Sequence, residues 1–224
     1  MAYNKIAFFS ATQKSDAKDT SLLKSVEHFD IDVDIAFELN NTDHLAVVYN
    51  RAIDKALEEK WDALVLVHDD VTLDHDPRPK LRTLFDKFDL IGVAGASSAE
   101  IKSPALWHLM GGGFGSGKLH GAVAHGSAEK KSMTAFGPYP HRVVMIDGVF
   151  MAMNRKAMEC LRFDEECPSK FHFYDLTTSL SAHKQGLKVG VGDIIITHES
   201  PGLKEFTEDW KAGEKYFLNK FGGD

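Results

Sequence analysis

The chain has 224 residues, of which 43% are hydrophobic and 26% charged, which is enough to bury a core in one large domain or two small ones. A formal net charge of −7 argues against a general nucleic-acid binder, which needs a basic face. Two cysteines are too few for a disulfide framework or a cysteine-based zinc site, and no apolar run approaches the ~20 residues of a membrane span.

The first half of the chain alternates between strand patterns and helix patterns. Short apolar runs predict strands at 6–9, 33–37, 64–67 and 90–94, and apolar residues at helical spacing predict helices at 22–29, 45–57 and 81–88. The clearest helical periodicity spans 45–57, and Thr42 or Asp43 is its expected N-cap. This order predicts an α/β fold with a mostly parallel central sheet flanked by helices.

The regular pattern breaks between Gly95 and Gly137, a glycine-rich segment for which we expect a flexible loop over a pocket. Trp107 in this segment is either a surface on which a sugar stacks or a core residue. Residues 112–118 fit the G-x-x-x-x-G-K spacing of a phosphate-binding loop, but Leu119 stands where Ser or Thr would hold magnesium, and no good helix start follows. We therefore reject the phosphate-loop interpretation.

Regular patterns return after Arg142. Strand patterns at 143–146 and 149–153 flank Asp147 and Gly148, and a helix pattern covers 155–161. Another helix begins near 171–175 and ends at Gly186, strands follow at 189 and 194–196, and aromatic residues predict a C-terminal helix at 206–217.

The most informative stretch is an apolar strand that runs into three polar residues, His68, Asp69 and Asp70. The unbroken run at 64–67 is typical of a strand covered on both faces. Because desolvating an unpaired carboxylate costs several kcal/mol, the polar residues must lie where the strand emerges, which is where ligands of open α/β sheets bind. We interpret them as a site for a divalent metal and a nucleotide; the alternative is an ordinary polar strand end. The strand at 194–196 delivers His198 in the same way.

Motifs in order over residues 40–202 resemble one family: Tyr49-Asn50-Arg51-Ala52, His68-Asp69-Asp70, Val144 to Met151, Phe163-Asp164-Glu165, Phe171 to Leu176 and His198 to Gly202. This set resembles the GT-A glycosyltransferases, and most closely the family 2-like members related to the StrF-type domain of streptomycin biosynthesis. The resemblance implies a GT-A, Rossmann-like fold in a single domain over 1–224. Its parts are a nucleotide-binding half (1–95), the glycine-rich loop region (96–141), and an acceptor-side half with the C-terminal helix (142–224).

The resemblance also implies a metal site. The family's D-x-D motif falls on His68, Asp69 and Asp70, so that Asp70 binds Mn²⁺ or Mg²⁺ at the diphosphate and Asp69 lies near the ribose. His68 departs from the motif and is either a metal ligand or a group that orients Asp70. His198 matches the histidine that completes the metal site in many members, and imidazole with carboxylate suits Mn²⁺ better than Mg²⁺. On this basis we expect Asp70 and His198 to meet.

Further positions take roles from the same resemblance. Asn50 and Arg51 match positions that hold the nucleotide, and Ser10 and Thr12 lie where the first strand meets the base.

Two carboxylates match catalytic positions of the family. Asp175 matches the base that deprotonates the acceptor hydroxyl, and a helix N-terminus there is expected to keep it ionised; the alternative is a plain N-cap. Asp147 matches an acceptor-side position, the alternative being a turn aspartate between two strand pieces.

We therefore expect a cytoplasmic glycosyltransferase that moves a sugar from a nucleotide-sugar, first of all a UDP-sugar, to a glycan or other hydroxyl acceptor with inversion. No nucleic-acid partner and no membrane span are expected, and the first residues are too short a run for a signal peptide. Two alternatives stay open: a non-catalytic nucleotide- or carbohydrate-binding module on the same fold, and a metal-dependent nucleotide-sugar hydrolase or nucleotidyltransferase.

Overall fold

The computed structural model describes residues 3–29, 33–127, 130–200, 202 and 205–223. The strands are β1 (Ile6–Ala11), β2 (Ile35–Glu38), β3 (Ala63–Val67), β4 (Val71–Leu73), β5 (Leu90–Gly92), β6 (Ala94–Ala96), β7 (Leu119–Gly126), β8 (Lys131–Gly137), β9 (His141–Arg142), β10 (Met145–Ile146), β11 (Phe150–Asn154), β12 (Val189–Val191) and β13 (Ile196–His198). The helices are α1 (Ser21–Val26), α2 (Leu45–Glu58), α3 (Arg78–Leu84), α4 (Trp107–Met110), α5 (Arg155–Cys160), α6 (Tyr174–Lys184) and α7 (Glu208–Phe221). Of the described helices, none has the length and apolar character needed to cross a membrane.

The larger sheet has the strand order β2-β1-β3-β11-β5-β12-β9. Strand β1 is parallel to β2 and β3, and β5 is parallel to β12, whereas β11 lies antiparallel between β3 and β5. The α/β, GT-A fold class is confirmed, with two differences from the expected run of parallel strands: β11 is antiparallel to its neighbours, and the edge strand β9 is antiparallel to β12. All residues of β11 are buried and all but Asn154 are apolar, which is typical of a strand inside a sheet that is covered on both sides.

The smaller sheet has the order β10-β6-β7-β13-β4, with β8 paired to β7. It contains much of the segment for which the sequence predicted a flexible loop, and that prediction is wrong for 119–126 and 131–137, which form the antiparallel pair β7 and β8. Strand β7 was missed because it contains Gly121, a residue type typical of loops. Glycine is required at this position, since its φ is +96° and a Cβ there would lie 2.8 Å from the backbone carbonyl carbon of Val93. Residues 112–118 form turns that lead into β7 rather than into a helix, in agreement with our rejection of a phosphate loop.

The two sheets join at a seam where chain segments pass from one sheet into the other. Residues 68–70 connect β3 to β4, Val93 connects β5 to β6, and 147–149 connect β10 to β11. Backbone hydrogen bonds hold these segments together, from His68 N–H to Val149 O at 3.2 Å and from Asp147 N–H to Ala94 O at 2.9 Å. The predicted site residues at 68–70 and 147 therefore lie on one seam.

Helices cover both faces of the larger sheet. The apolar face of α2 is buried, as its periodicity predicts, but its N-cap is His44 without a side-chain capping bond, so the prediction of Thr42 or Asp43 as the cap is wrong. The Asp43 carboxylate instead accepts a hydrogen bond from Arg51 at 3.2 Å. At the C-terminal end, α7 packs Trp210 against Phe173 with ring centroids 5.3 Å apart.

Candidate active site

Three side chains that the sequence analysis linked to a metal meet at the seam. His198 Nε2 lies 3.3 Å from Asp70 Oδ1, and His68 Nδ1 lies 4.0 Å from the same oxygen. One ligand atom from each residue lies within 4.8 Å of the others. Strand register explains the meeting, because Val71 of β4 pairs with His198 of β13, which brings the residue before Val71 to His198. The expectation that Asp70 and His198 converge is confirmed.

This triad fits a divalent cation. Asp70 Oδ1 is buried and receives no aligned hydrogen bond from the described residues, a costly arrangement that a cation would relieve. Burial lowers the pKa of His68, so its ring is neutral near pH 7 and offers a lone pair. Burial opposes ionisation of Asp70 and protonation of His198, but their contact lowers the pKa of Asp70 and raises the pKa of His198. Two imidazoles with one carboxylate form a set of donors suited to Mn²⁺.

Tyr174, which the sequence analysis gave no functional role, orients His68. Its hydroxyl lies 2.6 Å from His68 Nε2 and donates to the backbone oxygen of Gly148 at 3.2 Å. With its proton committed to Gly148, the hydroxyl accepts from His68 Nε2–H, and this tautomer leaves His68 Nδ1 bare on the side of Asp70. The signal in the sequence was only its place beside Asp175, because the partner lies 106 residues away.

Gly148 links this arrangement to Asp175. Its N–H donates to Asp175 Oδ2 at 2.8 Å, while its carbonyl accepts from Tyr174. A Cβ at position 148 would lie 2.7 Å from Tyr174 Cζ and 2.8 Å from Asp175 Cβ, so both contacts require glycine. The peptide around Gly148 thus links His68, through Tyr174, to Asp175 in the first turn of α6.

Burial and the nearby charge of Asp147 raise the pKa of Asp175 to about 7. The N–H groups of Gly148 and Leu176 lower it but do not outweigh burial, which differs from the expectation that the helix N-terminus keeps this group ionised. Asp147 is fixed by two donors, the indole Nε1–H of Trp107 at 2.9 Å and the N–H of Val149 at 3.0 Å. Two carboxylates with different surroundings therefore lie close together.

A cavity of about 600 Å³ opens on one side of the triad, with Asp69 and Thr12 in its wall. Thr12 Oγ1 donates to Asp69 Oδ2 at 2.5 Å, and Lys14 Nζ lies 3.6 Å from that oxygen. Ser10 is fully buried in β1, and its hydroxyl has no hydrogen-bond partner among the described residues. Of the two β1-side residues predicted near the base, Thr12 lines this cavity and Ser10 lies beneath the surface.

The structure does not bring Asn50 and Arg51 to this cavity. The Asn50 amide donates to Phe163 O at 2.9 Å and to Glu165 Oε1 at 2.6 Å, which ties α2 to the segment at 163–165. Arg51 points outward and pairs with Glu38 at 3.0 Å. Their predicted contact with a nucleotide stays a prediction.

A second cavity, of about 570 Å³, opens on the other side of the triad and contains Asp147 and Asp175. Its wall includes His125 of β7, which is paired in register with His198 and to which the sequence assigned no role. Trp107 lines this cavity but is only 8% exposed, so it is chiefly a core residue that holds Asp147. Both cavities share His68, Phe171 and His172.

Comparison with known proteins gives one family match. A model of the glycosyltransferase-like family matches residues 10–221, and a search of curated proteins returns no match. Similar solved structures include A197 from STIV, with 16% identity over 88% of this chain and 82% of that chain and a TM-score of 0.48. A glycosyltransferase involved in glycosylation of the major capsid of PBCV-1 has 14% identity, coverage of 95% and 91%, and a TM-score of 0.36. The inositol-1-phosphate CTP transferase from T. maritima has 12% identity, coverage of 94% and 77%, and a TM-score of 0.40.

Proposed function

Because the chain belongs to the glycosyltransferase-like family, we propose that it transfers a sugar from a nucleotide-sugar, first of all a UDP-sugar, to a hydroxyl group of a glycan or other acceptor, with inversion. The observation that carries this proposal is the convergence of His68, Asp70 and His198 between two cavities. We assign the cavity beside Asp69 to the nucleotide and the cavity beside Asp175 to the acceptor.

Mn²⁺ is the proposed cofactor, with Mg²⁺ as the second choice. A divalent cation held by the triad would supply positive charge to the diphosphate as it leaves. Neighbouring residues hold the three ligand side chains in the orientation and protonation state that metal binding needs. Tyr174 holds His68 in the tautomer with a bare Nδ1, and Asp70 keeps a buried carboxylate oxygen, without an aligned hydrogen bond, 3.3 Å from His198 Nε2. Such partners of metal ligands typically change metal affinity 10–100-fold when they are removed.

The donor is proposed to bind along β1 and the 68–70 segment. Asp69, oriented by the Thr12 hydroxyl, accepts a hydrogen bond from the ribose, and Ser10 and Thr12 set the floor beneath the base. Lys14, 3.6 Å from Asp69, balances the carboxylate charge at the mouth of this cavity.

Asp175 is the proposed general base. The acceptor oxygen attacks the anomeric carbon from the face opposite the nucleotide, its proton passes to an Asp175 carboxylate oxygen, and the electron pair of the broken C–O bond leaves on the diphosphate. A pKa of about 7 suits this task, because a base is most effective when its pKa lies near the working pH. Gly148 N–H orients the carboxylate, and Asp147 accepts a hydrogen bond from the acceptor.

The test is thermal unfolding with a panel of nucleotides and nucleotide-sugars, each with and without Mn²⁺. A ligand at 100 times its Kd stabilises the folded state by about 2.7 kcal/mol, so one nucleoside diphosphate family should raise Tm by roughly 5–11 °C when Mn²⁺ is present. Asp70→Ala should abolish the Mn²⁺-dependent shift, whereas Asp54→Ala, at an exposed carboxylate paired with Arg162, should keep it.

Three outcomes contradict the proposal. If no nucleotide or nucleotide-sugar shows a Mn²⁺-dependent shift in Tm, the proposal of a metal-bound donor is wrong. If Asp70→Ala shows the same shift as wild type, the assignment of Asp70 as a metal ligand is wrong. Release of pyrophosphate from a nucleoside triphosphate and a sugar phosphate would identify a nucleotidyltransferase instead.

A further inference from the structure

We propose that the cavity beside Asp175 is an acceptor subsite for an uncharged saccharide, whose ring stacks on a platform formed by Phe114 and Phe136. This inference rests on the proposed function and names the class of its acceptor. It transfers to Phe114 the sugar-stacking role that the sequence suggested for Trp107, because Trp107 is buried beneath the platform.

The platform begins with an exposed aromatic ring. The Phe114 side chain is 65% exposed, although an apolar ring of this size usually buries most of its surface. It lies in the turn at 111–118 between Gly113 and Gly115, whose φ angles of +79° and +82° favour glycine. This turn presents a large apolar ring at the wall of the cavity that contains Asp175.

The ring is supported from behind. Phe114 stacks on Phe136 of β8 with centroids 5.5 Å apart and an interplanar angle of 25°, and Phe136 and Trp107 pack in a T-shaped arrangement with centroids 4.9 Å apart. Trp107 in turn donates to Asp147 at 2.9 Å. The stack therefore joins the exposed ring to a carboxylate that neighbours the proposed base.

The charges of the cavity select against anionic acceptors. Among the described residues that line it there is no Lys or Arg, whereas Asp147 and Asp175 are carboxylates. Burial lowers the pKa of its histidines at 108 and 172, which keeps them neutral near pH 7. Away from the proposed cation at His68 and His198, a phosphate or carboxylate would meet the charges of Asp147 and Asp175 without a basic side chain on these walls.

A neutral saccharide matches both features. The C–H face of a pyranose ring is apolar and flat enough to cover Phe114, and its hydroxyl groups donate to carboxylates such as Asp147. An amino sugar would also fit the carboxylates, so the test must separate it from the neutral ligand.

The test is saturation-transfer difference NMR on the full chain with maltose, cellobiose and chitobiose as neutral probes, and glucose 6-phosphate and glucosamine as charged probes. We expect saturation transfer from the protein to at least one neutral disaccharide and no saturation transfer to glucose 6-phosphate. Phe114→Ala should lower the affinity for the neutral disaccharide roughly fivefold or more. The matched control is Met133→Ala, at a 53% exposed residue of β8 that does not line the cavity, which should leave the affinity for the neutral disaccharide unchanged.

Each contrary result overturns the inference: no transfer to any neutral disaccharide, tighter binding of glucose 6-phosphate or glucosamine, or equal affinities in wild type and Phe114→Ala. Failure of the proposed function is recognised separately, because Phe114→Ala should keep the Mn²⁺-dependent Tm shift with the nucleotide-sugar. If wild type lacks that shift but still binds the disaccharide, the donor assignment fails and the saccharide subsite stands.

Discussion

Replacing Tyr174 by phenylalanine removes one hydroxyl and leaves the ring in place. The ring packs against Tyr49 and Phe163 with centroids 5.5 and 6.2 Å away, contacts that phenylalanine keeps. What is lost is the 2.6 Å contact with His68 Nε2 and the 3.2 Å hydrogen bond to Gly148 O. His68 is then free to carry its proton on Nδ1, where the proton competes with a cation.

Two magnitudes follow from these contacts. Each hydrogen bond contributes about 1 kcal/mol net, so the free energy of unfolding without metal should fall by about 1–2 kcal/mol, which lowers Tm by roughly 2–8 °C in a chain of this size. Affinity for Mn²⁺ should fall about 10–100-fold, because Tyr174 orients a ligand from behind.

Calorimetric titration of the full chain with MnCl₂ measures this affinity without any need for turnover. Tyr139→Phe, at an exposed tyrosine, is the matched control and should bind Mn²⁺ like wild type. If Tyr174 acts through His68, then adding Tyr174→Phe to His68→Ala should cause no further loss of affinity. Wild-type affinity in Tyr174→Phe, or losses that add in the double variant, would refute the reasoning.

Three more predictions concern the proposed base and its surroundings. In Asp147→Asn the pKa of Asp175 should fall, because a neighbouring negative charge is lost, and the acidic limb of the kcat profile should move to lower pH; an unmoved limb would exclude that coupling. Asp175→Asn should keep the Mn²⁺-dependent donor shift but lose transfer. Between about pH 4 and 7 the folded state of wild type holds a proton on Asp175 that the unfolded state has released, so the free energy of unfolding should fall as the pH rises through this range. Asp175→Asn should remove this fall. Normal turnover in Asp175→Asn would disprove the base assignment. Gly148→Ala should weaken Mn²⁺ binding and lower kcat together, since its Cβ crowds both Tyr174 and Asp175, while Gly223→Ala, in open space, should change neither; a loss of only one property would separate the two contacts.

The sequence was sufficient for the parts of the fold that local patterns determine. The apolar run 64–67 predicted a strand buried on both faces, and β3 is buried throughout. The family resemblance predicted that Asp70, after β3, and His198, at the end of β13, would meet, and the two side chains do meet. The first inference needed only one segment and a general property of sheets, whereas the second needed the family resemblance.

The rest depends on pairings between distant segments. The contact of Tyr174 with His68 spans 106 residues and leaves no local pattern. Glycines such as Gly121 are conformationally required in β7 but are typical of loops in a sequence, which is why the hairpin was missed. Asn50 matched a nucleotide-holding motif, yet its amide bonds to Phe163 and Glu165, a use that only the packing of α2 reveals.

The seam between the sheets is the basis of the proposed chemistry, and anomalous diffraction tests it most directly. Crystals of the full chain grown with Mn²⁺ and UDP, measured at the manganese absorption edge, should show an anomalous peak bonded to His68 Nδ1, Asp70 Oδ1 and His198 Nε2, with the UDP diphosphate beside it. A manganese peak bonded to other residues, or UDP bound away from these three side chains, would contradict the account.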